Sequence, residues 1–340
     1  MENKKVTIYD LAEELGVSTA TVSRVIAGDY PVSEKTREKV QKLIDKYDFR
    51  PNAIARTLSN KKSRLVGFIT PAITNPFFSQ VFVELEKYAL EKGYSVLLGN
   101  TSGNREQESH YTRILLEQQA EGIILLGGLI NDTIPDPHGV QELIEVQKRT
   151  KLVTINGKIK SVNNSSVRTD EAEGVELIIK HLVELGHTKI GMIGGIKGIT
   201  TTDIKVHTFK KELEKHQLTF HDSWQIYSGY SIKSGEDGFE ELMSTNETLP
   251  TALIGINDMV GVGMIKASKR FRNNHFAFVG YDDTILAQTS SPELTSIRHP
   301  YEELGKIAID MVLDEGPVRD VILSPKLVIK ESTMEHVLQQ

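Results

Sequence analysis

The chain of 340 residues contains no cysteine and no long apolar run. Without cysteine there are no disulfide bonds, no thiolate metal sites and no thiol nucleophile. A membrane helix needs roughly 18 consecutive apolar residues, and the N-terminus also lacks the apolar stretch of a signal peptide. We therefore expect a cytoplasmic protein that does not bind membranes.

Sequence signatures of catalysis are also missing. The 10 histidines form no pair at metal-ligand spacing, and no Ser-His-Asp motif stands out. The glycine-rich run at 191–198 lacks the Gly-Lys-Ser/Thr ending of a phosphate loop and the spacing of a dinucleotide fingerprint, so we interpret it as a turn. The sequence predicts no catalytic residue, no metal site and no cofactor, and therefore a protein that is not an enzyme.

Charge is divided unevenly along the chain, which as a whole carries a net charge of −6. Residues 1–64 contain 13 Lys and Arg against 9 Asp and Glu, whereas the rest contains 27 against 37. Residues 50–64 hold five basic side chains and no acidic one. Phosphate contacts dominate DNA affinity, and a local basic patch supplies them. A solvated linker is the alternative explanation of this segment taken alone.

Residues 6–24 carry the spacing of a helix-turn-helix motif. Leu11 and Leu15 share one face of a predicted first helix, and Gly16 suits the left-handed residue that ends it. Ser18 can cap a second helix, whose small outward side chains let it approach the floor of the DNA major groove. A plain helical corner with glycine at its turn is the alternative.

The outward face of the second helix predicts the DNA contacts. Its side chains are those of Thr19, Ala20, Ser23 and Arg24. Arg24 can make a bidentate contact to guanine, which specifies sequence. Thr7, Tyr9 and Thr21 suit phosphate contacts, which position the protein without specifying sequence. A third helix, predicted at about residues 34–47, completes the core.

The run from Val6 to Leu58 resembles the headpiece and hinge of the lac repressor–galactose repressor family. The matching motifs are Ala-Thr-Val-Ser-Arg at 20–24 and Arg-Pro-Asn-Ala-Ile-Ala-Arg at 50–56, and the similarity covers essentially the whole chain. The resemblance implies an all-α three-helix DNA-binding headpiece at 1–49 and a hinge helix with linker at 50–64. The further residues that the resemblance places on DNA are Ser18, Ser33, Thr36, Asn52, Ala55, Arg56 and Leu58.

Leu58 matches a leucine that the family wedges between base pairs in the minor groove, once the hinge helix has paired with its dimer mate. A helix of about ten residues is marginal alone. An apolar wedge costs unstacking energy, which contacts in the bent DNA offset. An ordinary buried contact is the alternative role for this residue.

Beyond the hinge, short apolar runs alternate with amphipathic helical segments. Repeated βαβ units with continuous apolar strands predict doubly wound parallel sheets. Two such series indicate two similar subdomains, and the resemblance implies a periplasmic-binding-protein-like α/β body that binds an effector and dimerises, at residues 65–340. The predicted subdomains are about 65–161 with 293–323, and about 162–292 with 324–340.

Ligands of such sheets bind at the carboxyl ends of the strands. The side chains that the resemblance places there are Phe77, Phe78, Asn156, Lys205, Tyr230 and Asp258. A carboxylate at Asp258 can accept two hydroxyl hydrogen bonds; a helix N-cap is the alternative for Asp258, and a core position is the alternative for Phe77. Lys205 stands where many family members have arginine, and lysine lacks the planar fork, so the hydroxyls of residues 198–203 form an alternative polar set.

These features together predict a homodimeric repressor of a carbohydrate-utilisation operon. Two-fold protein symmetry is mirrored in the DNA, so we expect a pseudo-palindromic operator in double-stranded DNA. A small-molecule effector, a sugar or sugar phosphate, is expected in the cleft between the subdomains. The alternatives are control by a phosphocarrier protein or by a non-sugar effector such as a nucleobase. A solute-binding protein and a sugar-metabolising enzyme fit the headpiece poorly.

Overall fold

The structure is a computed structural model, and it describes residues 6–27, 32–47, 49, 63–271 and 276–334. The chain divides after Ser63 into a helical unit and a larger α/β unit. The predicted hinge contacts Asn52, Ala55, Arg56 and Leu58 lie outside the described residues. Within the described ranges, no helix is long and apolar enough to cross a bilayer.

The helical unit packs its described helices around a small apolar core. Helix α1 spans Ile8–Leu15, α2 spans Thr19–Ala27 and α3 spans Glu34–Tyr47. Its fully buried side chains are Leu11, Val22 and Val40. Because so few side chains are buried in so small a unit, each one carries a large share of its stability.

Capping residues set the ends of these helices. Thr7 and Asp10 form a capping box, in which Asp10 N donates to Thr7 Oγ1 at 3.4 Å and Thr7 N donates to Asp10 Oδ2 at 2.7 Å. Gly16 ends α1 with a φ of 64°, a left-handed conformation that glycine adopts without Cβ strain. Ser18 accepts a hydrogen bond from Thr21 N at 3.2 Å. The predicted turn and N-cap of the helix-turn-helix are confirmed.

The first subdomain of the α/β unit is built on one six-stranded sheet of the described chain. Its strands are β1 Leu65–Thr70, β2 Ser95–Asn100, β3 Gly122–Leu126, β4 Lys151–Ile155, β5 Ser165–Thr169 and β11 Asp320–Leu323. They pair in the order β11-β5-β4-β3-β1-β2, all in parallel. The covering helices are α4 Pro76–Glu91, α5 Arg105–Glu117, α6 Pro137–Gln147 and α12 Tyr301–Leu313.

The second subdomain repeats this architecture. Its strands are β6 Ile190–Ile193, β7 Gln225–Ile226, β8 Ala252–Gly255, β9 Ala277–Asp282, β10 Thr295–Arg298 and β12 Lys326–Val328. Their order is β12-β10-β9-β8-β6-β7, and β12 is antiparallel to β10. The helices are α7 Glu171–Glu184, α8 Thr200–Lys215, α9 Ile232–Thr245 and α10 Asp258–Ser268, with the short α11 Ile285–Thr289 and α13 Glu331–Met334.

Continuous burial of the central strands explains the apolar runs in the sequence. Every residue of β3 and of β9 is buried, because helices cover both faces of each sheet. The doubly wound, mostly parallel architecture predicted from these runs is confirmed.

Two predicted subdomain boundaries need correction. Strand β5 pairs with β4 in the first sheet, although the sequence places the boundary at 161–162. Strand β10 pairs with β9 in the second sheet, although 293–323 was predicted to lie in the first. The chain therefore crosses between the sheets after Thr169, after Arg298 and after Leu323. Periodicity could not reveal this, because a short strand fits either sheet equally well.

Candidate functional site

The outward face of α2 is the candidate DNA interface of the helical unit. Ala20 and Arg24 are exposed one turn apart, whereas Val22 between them is fully buried in the helical core. Thr19 and Ser23 immediately precede Ala20 and Arg24 in the sequence, and both are partly buried. Small side chains around Arg24 let the helix approach a groove floor closely.

Hydroxyl groups at the helix N-termini lie beside exposed backbone N–H groups, an arrangement that suits phosphate oxygens. These hydroxyls also hydrogen-bond within the helical unit. The pairs are Thr7 with Asp10 at 2.5 Å, Ser18 with Thr21 at 2.9 Å and Ser33 with Thr36 at 2.8 Å. Tyr9 on α1 exposes 72% of its surface, so its phenol is available for a contact with a DNA phosphate.

Lys205 makes a buried polar contact between α8 and the start of α7. Its Nζ lies 3.1 Å from Glu171 Oε2 and donates to the Ile256 carbonyl oxygen at 3.2 Å. The same ammonium lies 3.4 Å from the centre of the Tyr281 ring. Only 8% of the Lys205 side chain and 8% of the Glu171 side chain are exposed. The positive charge predicted to face an effector is therefore already matched by a carboxylate.

His299 connects the carboxyl ends of strands from both sheets. Its Nδ1 lies 2.7 Å from Thr169 Oγ1 at the end of β5, and its Nε2 lies 3.2 Å from Asp282 Oδ1 at the end of β9. Burial raises the pKa of Asp282, and the adjacent His299 and Lys205 oppose that rise. We define the edge cluster as Thr169, Glu171, Lys205, Asp282 and His299.

Asn156 lies against the edge cluster, at the end of β4. Its backbone is left-handed, with a φ of 51°, and its Oδ1 accepts a hydrogen bond from Thr169 N at 2.8 Å. Asn131 Nδ2 donates to the Asn156 carbonyl oxygen at 2.8 Å and lies 3.5 Å from Thr200 Oγ1 on α8. The structure thus brings Asn156 to the expected edge, with its amide oxygen held by the backbone.

The aromatic residues predicted for the cleft lie in two places. Phe77 at the start of α4 has its ring centre 4.8 Å from that of His299 and 5.2 Å from that of Phe78. Both phenylalanines also pack on the core of the first subdomain. The Tyr230 hydroxyl forms a hydrogen bond with Thr202 Oγ1 on α8, with 2.6 Å between the two oxygen atoms. Burial raises the pKa of Tyr230 above its ordinary value, so its hydroxyl stays protonated near neutral pH.

Asp258 is enclosed within the second subdomain rather than joined to the edge cluster. Its Oδ2 accepts hydrogen bonds from Thr284 N at 2.6 Å and Thr284 Oγ1 at 2.8 Å, and its Oδ1 accepts one from Ser296 Oγ at 2.5 Å. Burial, followed by the charge of Asp282, raises the pKa of Asp258 to about 8. Asn257 caps α10 through Val260 N at 2.9 Å. The N-cap alternative for Asp258 is therefore wrong.

Of the edge cluster, only Lys205 was singled out from the sequence as a site residue, and Thr169 at the end of β5 and three further members were missed. Glu171 and His299 follow the ends of β5 and β10, and Asp282 ends β9. The rule that ligands bind at the carboxyl ends of strands points to all three. For Glu171 and His299, applying it required recognising β5 and β10 as strands, which the apolar pattern did not allow.

A second contact joins the two subdomains close to Asn156. Thr133 N and Thr133 Oγ1 both donate to the Gly198 carbonyl oxygen, at 2.9 Å and 3.0 Å. Asp132 forms an antiparallel bridge with Ile199, and Arg105 makes an ion pair with Asp132. We call residues 131–133 and 198–200 the latch. Hydrogen bonds of this kind contribute only about 0.5–1.5 kcal/mol each, so the latch can open at modest cost.

Comparison with known proteins connects both units to one kind of protein. Residues 7–52 match the model of bacterial regulatory proteins of the lacI family, and residues 179–333 match the periplasmic binding protein-like domain. Catabolite control protein A of Priestia megaterium is 32% identical over 312 residues, covering 90% of this chain and 91% of that protein. The ribose operon repressor of Haemophilus influenzae is 29% identical over 334 residues, covering 96% and 98%.

Full-length similarity extends to a further repressor and to a solved structure. The transcriptional repressor PurR of Aliivibrio salmonicida is 30% identical over 313 residues, covering 91% of both proteins. The crystal structure of the lac repressor dimer bound to operator and the anti-inducer ONPF superposes with a TM-score of 0.84 at 26% identity, covering 97% of this chain and 99% of that one. The chain belongs to the lacI family of bacterial regulatory proteins, which are DNA-binding transcriptional regulators and not enzymes.

Proposed function

We propose that this protein is a homodimeric repressor whose affinity for a pseudo-palindromic operator is controlled by a small carbohydrate bound between the two subdomains. The observation that carries the proposal is the edge cluster, in which His299 joins the strand ends of both sheets within one buried polar site. Because its target is chromosomal DNA, we expect the protein to act in the cytoplasm.

The latch supports a mechanism in which the effector changes how the subdomains close on each other. An effector that contacts strand ends of both sheets favours one arrangement of Thr133 and Gly198 over another. It can shift that equilibrium only by its difference in affinity for the two arrangements. The coupling is reciprocal, so operator DNA must change effector affinity by the same factor.

The experiment that tests this proposal uses the full-length protein. Operator sites are selected from randomised DNA, and their Kd is then measured with and without a panel of sugars. We expect a two-fold symmetric site and at least one sugar that changes the Kd by roughly 5–150-fold, the usual range of such coupling. If no small molecule changes the Kd, and a phosphocarrier protein makes DNA binding tighter, the proposed small-molecule effector is wrong. The protein would then be controlled by a protein co-repressor.

We predict that Arg24→Ala relaxes base preference at one position of each half-site. A bidentate arginine–guanine contact discriminates by about 1–3 kcal/mol. The measurement is the Kd for the selected operator and for its single-base variants. Lys42→Ala, an exposed change on α3, is the control and should preserve the preference. If Arg24→Ala discriminates between the operator and its single-base variants as well as the parent protein does, Arg24 takes no part in sequence recognition.

We predict that Leu90→Asp converts the dimer to a monomer. Val83 and Leu90 lie seven residues apart on α4, the helix that precedes the edge strand β2, and each is 56% exposed. A charge in an apolar interface should weaken association at least about tenfold, or 1.4 kcal/mol. Sedimentation velocity measures the change. Val318→Asp, at an exposed apolar position beside β11 on the opposite edge, should remain dimeric. If Leu90→Asp also stays dimeric, this face is not the interface.

A further inference from the structure

The electrostatics of the edge cluster constrain which effector the protein can accept. The Lys205 ammonium is matched by Glu171 at 3.1 Å and donates to the Ile256 carbonyl oxygen. Other cationic groups near the strand ends are engaged too. They are Lys330 and Arg298 with Asp283, Arg105 with Asp132, and Lys197 over the Tyr227 ring.

Three carboxylates lie at the same strand ends as these cations. Asp282 and Asp283 lie at the end of β9, and Glu171 begins α7 immediately after β5. All three are buried. A phosphate or carboxylate placed there would lose its hydration in a poorly solvated site whose cations are already paired, and burying a charge without a partner is costly. Lys205 offers it no net attraction, because Glu171 already matches its charge.

Among the buried side-chain oxygen atoms that have no hydrogen-bond partner within the described part of the chain, two lie where strands of the first subdomain end. They are Thr70 Oγ1 at the end of β1 and Asn131 Oδ1 in the turn after β3. Asn131 Nδ2 already donates to Asn156 O at 2.8 Å, which fixes the amide orientation and leaves the oxygen as an acceptor. Unsatisfied buried acceptors are costly. A ligand that brings hydroxyl donors would satisfy them.

We infer that the effector is an uncharged, hydroxyl-rich molecule such as a free sugar or polyol, and that the Glu171–Lys205 pair excludes its phosphorylated counterparts. This inference rests on the proposed function, because it concerns the effector of that same site. It assigns Glu171 as a specificity-determining residue. Lys205 on α8 could attract an anion, but it is paired with Glu171 at the start of α7.

The test compares matched pairs by thermal shift and calorimetry on the full-length protein. The probes are glucose with glucose 6-phosphate and ribose with ribose 5-phosphate, each pair at equal concentration. We expect neither ester to stabilise the protein more than its parent sugar, and any sugar that binds to do so at least about tenfold more tightly than its ester. A phosphate ester that binds more tightly than its parent overturns the inference. If no probe binds, the carbohydrate effector of the proposed function fails on this panel, and the ester affinity of Glu171→Gln then decides whether the Glu171–Lys205 pair excludes anions.

A gain-of-function variant provides the second arm. Glu171→Gln removes the acid that matches Lys205, and we expect the affinity for the phosphate esters to rise at least about tenfold. Glu184→Gln is the matched control on the same helix, because Glu184 is exposed and its contact with Lys180 spans 3.9 Å. A folded Glu171→Gln protein whose ester affinity equals that of Glu184→Gln counts against the role of Glu171. Should Glu171→Gln fail to fold, the comparison of matched probes on the unaltered protein still decides the inference.

Discussion

Replacing Leu11 with alanine should abolish operator binding while the α/β unit stays folded. Leu11 is fully buried in the small core that it shares with Val22 and Val40. A buried Leu→Ala change costs about 2–5 kcal/mol. A unit of this size is expected to be stable by only about 3–9 kcal/mol, at roughly 0.05–0.15 kcal/mol per residue. The substitution therefore removes most of the stability on which the DNA-facing helix depends.

Two measurements distinguish this local unfolding from general damage. Calorimetry should show the transition of the α/β unit at its original temperature, and fluorescence anisotropy should show no specific operator binding. Glu13→Ala, an exposed change on the same helix, should preserve both signals. Operator affinity at the level of the parent protein in Leu11→Ala would mean that the helical unit does not depend on this core.

Lys205→Met should cause the largest loss of stability in the α/β unit. The change leaves Glu171 buried without its partner, and it removes the ammonium that lies 3.4 Å from the Tyr281 ring centre. Breaking a buried ion pair by removing one partner costs about 3–5 kcal/mol. Urea denaturation of the full-length protein measures this loss as a lower midpoint of the main transition at an unchanged slope.

A double-mutant cycle isolates the charge effect from the loss of packing. Lys205→Met combined with Glu171→Met should be more stable than Lys205→Met alone, because no uncompensated charge remains. Lys180→Met is the exposed control. The Lys180 and Glu184 side chains are 68% and 64% exposed, so the loss should stay within about 0–1 kcal/mol. A loss of that small size in Lys205→Met would indicate that water reaches the Lys205–Glu171 pair.

The parts of the fold predicted correctly are those whose signals are local. Gly16 and Ser18 mark the turn and cap of the helix-turn-helix through their own backbone and side-chain chemistry. Two of the strands that periodicity missed, β5 and β10, are rich in polar residues. Strand β10 begins with Thr295 and Ser296, both fully buried, whose hydroxyls bond Thr333 and Asp258. A run of such polar residues is typical of a loop, and only its contacts with residues distant in the sequence identify it as a strand.

The candidate site depended even more on long-range contacts. Asp258 follows β8 and Asp282 ends the neighbouring buried strand β9, and only Asp258 was named from the sequence, because the family resemblance singled it out. Only the structure shows that Thr284 and Ser296 occupy the Asp258 oxygens, whereas Asp282 meets His299. The structure places Asp282 in the edge cluster, and an effector contact at Asp258 stays a prediction.

Strand β11 has a consequence for how the chain is made. It pairs with β5, although roughly 150 residues separate Thr169 from Asp320. Ribosomes add about 5–20 residues per second, so during synthesis the edge of β5 waits about 8–30 s for its partner. An unpaired strand edge is a template for pairing with other chains. The edge of β5 is therefore open to pairing with other chains for that interval, until β11 has been made.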